Sequence, residues 1–146
     1  MPLKLSLKPQ EKFVVNGAVL QNGDRRCVML LQNKASVLRE KDIMQPEEVN
    51  TPAKHVYFPV MMMYLEGGKP GGPQYEDFVQ RISEFMGAIS NPEVLKECVS
   101  LSRDVMGGDY YRALGRCRKL IAYEGEILGH VDSSLPEDGE QNRRSA

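Results

Sequence analysis

Residues 33–65, NKASVLREKDIMQPEEVNTPAKHVYFPVMMMYL, decide the fold of this chain. The stretch opens on the end of a polar, β-patterned segment and passes through a charged turn, Arg39-Glu40-Lys41-Asp42. Gln45 to Asn50 is a polar connector holding Pro46. Thr51-Pro52 then supplies a helix start, because threonine caps the free backbone N–H groups and proline at the first helical position gives up a donor that has no partner there. The run that follows is apolar nearly all round, from Val56 to Leu65, so its helix is buried on several sides. Pro59 inside it lacks a backbone donor and predicts a kink or a break.

Upstream of this stretch the apolar period is two. Leu3, Leu5 and Leu7 alternate with Lys4 and Ser6, the pattern of a half-buried strand. After the turn at Lys8-Pro9-Gln10, Phe13-Val14-Val15 meets Asn16-Gly17, a pair that tolerates positive φ and predicts a hairpin returning through Ala18 to Gln21. Asn22-Gly23-Asp24 turns the chain into a strand over Arg25 to Gln32, and Asn33-Lys34 turns it into a fifth over Ala35 to Arg39. Five short strands with tight turns predict an antiparallel meander or small barrel.

Downstream the period becomes 3.6. Glu66 to Pro73 carries four glycines and reads as a flexible loop. Tyr75, Phe78, Val79, Ile82, Phe85, Met86 and Ile89 line a helix over 74–89. Asn91-Pro92 starts another over 92–106, with Val94, Leu95, Cys98, Leu101 and Val105 on one face. Gly107-Gly108 ends it, and Asp109 caps a last helix over 109–127 with Tyr110, Leu114, Cys117 and Ile121 as its seam. The chain therefore reads as α+β, with an antiparallel β-module of about five strands over 1–50 and about four helices over 51–128. Residues 129–146, polar and without periodicity, read as a disordered tail.

At 146 residues the chain can bury enough surface to fold without staples. Cys27, Cys98 and Cys117 are scattered, no CxxC pair exists, and the only histidines are His55 and His130, which argues for reduced thiols and against a metal site. No apolar run reaches the roughly 18 residues that span a bilayer. The start, MPLKLSLKPQ, has no signal-peptide pattern, so the expected location is the cytoplasm. No catalytic constellation is visible, and Glu47-Glu48 and Glu124-Glu126 lie in polar surroundings. Neither an enzyme nor a cofactor is indicated.

Charge is divided unevenly. Residues 1–41 hold eight Lys and Arg against three acids, a net +5, and the remainder holds a net −6. The basic set is Lys4, Lys8, Lys12, Arg25, Arg26, Lys34, Arg39 and Lys41. It suits phosphates of a polyanion such as RNA. Stacking of unpaired bases also needs exposed aromatics, and the only aromatic before Tyr57 is Phe13. A second basic stripe, Arg112, Arg116 and Lys119 with Arg118 beside it, reads either as a solvated helix face or as a contact for phosphate or an acidic partner. Met61, Met62, Tyr64 and Leu65 lie in a run with more apolar surface than one small bundle hides. They are candidates for a partner contact, with a homo-oligomer as the simplest case.

Several uncommon strings occur in order: NGAV, NKASVLREKDI, QPEE, NTPA and YFPVMMMYL. With KLSLKPQEKFVVNGAVLQNGDRR they resemble the bacterial FlbT family of flagellum biosynthesis repressors over most of residues 1–65, and more loosely to about Tyr123. That resemblance implies a cytoplasmic, post-transcriptional regulator acting on the 5′ leader of flagellin mRNA. The alternative is a module that binds a flagellin, a secretion chaperone or another regulator and affects the mRNA indirectly. The N-terminal module is also similar to the CsrA carbon storage regulators, in which an arginine of a VHREEI-type segment contacts leader RNA. The matching residue in VLREKDI is Arg39. Lys4 fits that family's basic first strand, whereas Ser6 stands where a basic residue is wanted.

Overall fold

The structure is a computed structural model that describes residues 3–66 and 72–134. Five strands come first: β1 Leu3–Leu7, β2 Lys12–Val15, β3 Ala18–Gln21, β4 Cys27–Leu31 and β5 Val37–Arg39. Two short 3-10 turns, Glu40–Asp42 and Pro46–Glu48, lead into α1 Pro52–Leu65, α2 Pro73–Gly87, α3 Pro92–Met106 and α4 Tyr110–Ser134.

The strands are antiparallel but do not form the expected meander or a barrel. β1 pairs with β4, Leu5 opposite Met29, and β2 lies between β3 and β5 in a separate three-stranded sheet. The reason is local. Asn16 and Gly17 take φ of 50° and 85°, which closes the β2–β3 hairpin as a unit. The Asn22 side chain then ties the two connections around that hairpin, donating to the carbonyls of Lys8 (2.8 Å) and Arg25 (2.9 Å). β1 and β4 are thereby brought together past the inserted hairpin.

β2 and β5 alternate as period two requires. Val14 and Leu38, opposite each other in register, join the main buried cluster with all four helices. Phe13 and Val37 lie on the other face; they are buried outside that cluster, as are Leu5 and Leu7 of β1. Side chains also knit the halves together. The Tyr64 hydroxyl accepts from the Val37 N–H (2.8 Å) and donates to the Val37 C=O (2.9 Å), filling the position a neighbouring strand would take on β5. The Tyr57 hydroxyl donates to the Asp42 carbonyl at 2.6 Å, and burial pushes that phenol well above its ordinary range.

α1 is helical straight through Pro59, so the break allowed by the sequence does not occur. Thr51 caps it, accepting from the Lys54 N–H, and Glu124 of α4 accepts from the Ala53 N–H at 3.0 Å. α3 and α4 begin at Asn91 and Asp109 caps, as their sequences require. The helix expected to stop at 127 extends to Ser134, so residues 129–134 are helix rather than tail. Residues 135–146 and the glycine-rich segment 67–71 lie outside the described residues. All three cysteines are free thiols, with Cys98 and Cys117 buried and Cys27 partly exposed.

Candidate functional site

A groove of about 1100 Å³ lies between the β-module and the start of α4. Leu3 and Leu5 of β1, residues 34–39 leading into and along β5, and Tyr64 of α1 form one side. Gly108, Asp109, Tyr110, Tyr111 and Arg118 form the other. Tyr110 packs inward on the helix seam, so the next side chain on α4 must point away from it. Tyr111 accordingly stands 62% exposed in the groove, its ring 5.8 Å from that of Tyr64 and tilted by 45°. The doublet Tyr110-Tyr111 carried this signal in the sequence, since one seam position cannot hide two consecutive rings. It connects the β-module to an aromatic about seventy residues downstream.

Of the basic set, the groove gathers Lys34, Arg39 and Lys41, and adds Arg118 from the second stripe. Lys34 and Lys41 are exposed. Arg118 reaches Asp42 at 3.3 Å across the module boundary. Arg39 is committed to the fold: its guanidinium holds both oxygens of Glu11 (3.0 and 3.1 Å) and donates to the Ser6 carbonyl of β1. The Arg39 bond, with help from the Lys8 N–H, holds the Glu11 carboxyl below its ordinary range. The residue matched to the RNA-contacting arginine of the carbon storage regulators is thus a clasp between β1 and β5 here. Lys4, Lys8, Lys12, Arg25 and Arg26 are exposed on the β-module but do not line the groove.

The second stripe is largely paired. Arg116 bridges Asp104 and Glu97 of α3, with Lys119 near the same Glu97, and Arg112 lies 3.6 Å from Asp109. The candidate partner residues on α1 divide. Met61 is 2% exposed, and its sulfur accepts the Met44 N–H at 3.3 Å, so this side chain is core and cannot meet a partner. Met62, Tyr64 and Leu65 are half-buried against the same core. Among the described residues no group of three or more His, Cys, Asp and Glu is placed to hold a metal, and no helix is long and apolar enough to cross a membrane.

Fold and groove together define a small α+β protein in which a groove joins an N-terminal β-module to a C-terminal helix. The chain belongs to the FlbT family: the family model described as flagellar protein FlbT matches residues 3–128. It is 62% identical over 141 residues to the flagellum biosynthesis repressor protein FlbT of Caulobacter vibrioides (strain ATCC 19089 / CIP 103742 / CB 15), covering 96% of this chain and 99% of the relative. It is 38% identical over 129 residues to the probable flagellum biosynthesis repressor protein of Rhodopseudomonas palustris (strain TIE-1), covering 88% and 98%. A probable repressor of Bradyrhizobium diazoefficiens is 35% identical over 137 residues, covering 93% and 91%. No solved structure matches the chain.

Proposed function

We propose that the chain regulates flagellar synthesis by binding the 5′ leader of a flagellin mRNA in the groove, thereby changing access of the ribosome or of a nuclease. The family and the names of its relatives support the flagellar role. The observation that carries RNA as the ligand is Tyr111, an exposed ring set in one groove with Lys34 and Lys41. An unstacked base lies on the ring while the lysines take the flanking phosphates. This supplies the aromatic that the β-module lacks by itself. Repression follows if the bound segment overlaps the ribosome site.

The test is a titration of the chain against a flagellin leader at two salt concentrations. Tyr111→Ala should weaken binding by roughly tenfold or more, since a stacked base is worth about 1–3 kcal/mol, and Tyr111→Phe should restore it. Lys34→Glu with Lys41→Glu should weaken binding and flatten the salt dependence. Arg112→Glu, outside the groove, should change little. Leader binding that ignores salt and all groove variants overturns the proposal. The apolar floor of Leu3, Leu5 and Tyr110 favours one second reading, a peptide of a flagellin or its chaperone in the same groove. Such binding would be nearly insensitive to salt.

A further inference from the structure

We propose that β4 is a self-association edge, pairing antiparallel with β4 of a second copy to make a continuous four-stranded sheet β1-β4-β4-β1. No residue of β4 lines the groove. The β1–β4 sheet has only two strands among the described residues, fewer than the three or so that give a sheet independent stability. Its β1 edge is blocked at one point, where Arg39 donates to the Ser6 carbonyl, and it carries the exposed charge of Lys4. In the other sheet the β5 edge is covered by Tyr64.

β4 has no such cover. Its sequence, Cys-Val-Met-Leu-Leu, contains none of the lysines, prolines or other charges that keep monomeric edges apart. Val28 and Leu30 are 53% and 57% exposed on the outer face, and Met29 is 38% exposed on the inner one. β3 is also an edge, but it is shorter and belongs to a sheet already three strands wide.

The register follows from the backbone. Ser6 turns its carbonyl to Arg39, so Ser6 and its partner Val28 form a non-hydrogen-bonded pair within β1–β4. The N–H and C=O of Val28, and by alternation those of Leu30, therefore face the open edge. A two-fold axis at Met29 sets Val28 of each copy opposite Leu30 of the other and uses all four outward-facing groups on each strand. It places Cys27 opposite Leu31 of the other copy. Beyond the strand Arg26 and Arg25 meet the neutral Gln32 and Asn33, and Asp24 meets Lys34, so the flanks bring no like charges together. Charge and geometry both favour a second copy as the occupant, over an unrelated strand.

The test uses the full chain. Sedimentation equilibrium should show a dimer. Leu30→Lys, at an exposed position the fold does not need, should weaken it by roughly tenfold or more, since the two-fold axis applies the added charge twice. Leu31→Cys, oxidised with copper phenanthroline, should give a covalent dimer through Cys27 of the other copy, within the Cα spacing a disulfide accepts. The unsubstituted chain, treated alike, should give none. A strict monomer at the highest soluble concentration overturns the proposal. So does a dimer that Leu30→Lys leaves intact, or one that Leu31→Cys fails to trap.

Discussion

At the scale of single residues, the Arg39 clasp matters most, because it changes what an arginine at that position can do. A guanidinium that holds both oxygens of a mostly buried carboxylate and a strand carbonyl commits its Nε and Nη2 to the fold and leaves only Nη1 for a phosphate. Glu11→Gln should therefore destabilise the chain at neutral pH by about 1–3 kcal/mol, as expected for a charged, partly buried hydrogen-bonded pair. The sign with pH follows from the lowered folded-state value of Glu11. Its contribution is present in full above the ordinary glutamate range and is lost as pH falls through the depressed value. Urea titrations from neutral pH into acid should show the native chain and Glu11→Gln converging, whereas a constant gap would remove Glu11 from the acid response. Sequence alone treated Arg39 as one member of a basic set. Its partners lie 28 and 33 positions away, a separation that local pattern does not encode.

At the scale of elements, apolar period together with turn and cap residues located the five strands and the four α-helices of the described chain, though not the full length of α4, because apolar spacing reports which side of an element meets the core. Strand order was not legible. Pairing of β1 with β4 depends on one asparagine side chain tying two connections, and no periodicity records that. The proline inside α1 shows a similar limit. Pro59 lacks a backbone donor, yet its ring is wholly buried, so packing offsets a local helix cost of about 3 kcal/mol. Pro59→Ala regains the donor and loses a ring's worth of core contact, roughly 2 kcal/mol. The two nearly cancel, and thermal unfolding should place the variant within about 1 kcal/mol of the native chain or slightly above it. A loss of several kcal/mol would mean that the ring is irreplaceable in the core.

At the scale of the whole molecule, the β-module and the helices share one core. Val14 and Leu38 are buried with the helical cluster, Tyr64 covers β5, and Asp42 meets Arg118. A chain of residues 1–50 alone should therefore stay unfolded, seen as collapsed amide dispersion in a proton–nitrogen NMR spectrum; a dispersed spectrum would show that the β-module folds by itself. The sequence shows how charge divides along the chain, but the groove is lined by Leu3 and Arg118 together, and only the tertiary fold brings both to it. That span has a consequence in time. A ribosome releases the last strand of the β-module, ending at Arg39, well before the start of α4 at Tyr110. On the proposed reading, a half-made polypeptide carries the lysines without the ring that a base would stack on. The groove itself is complete only when translation of the chain is nearly over, so whatever ligand it takes meets a finished protein and not a nascent one.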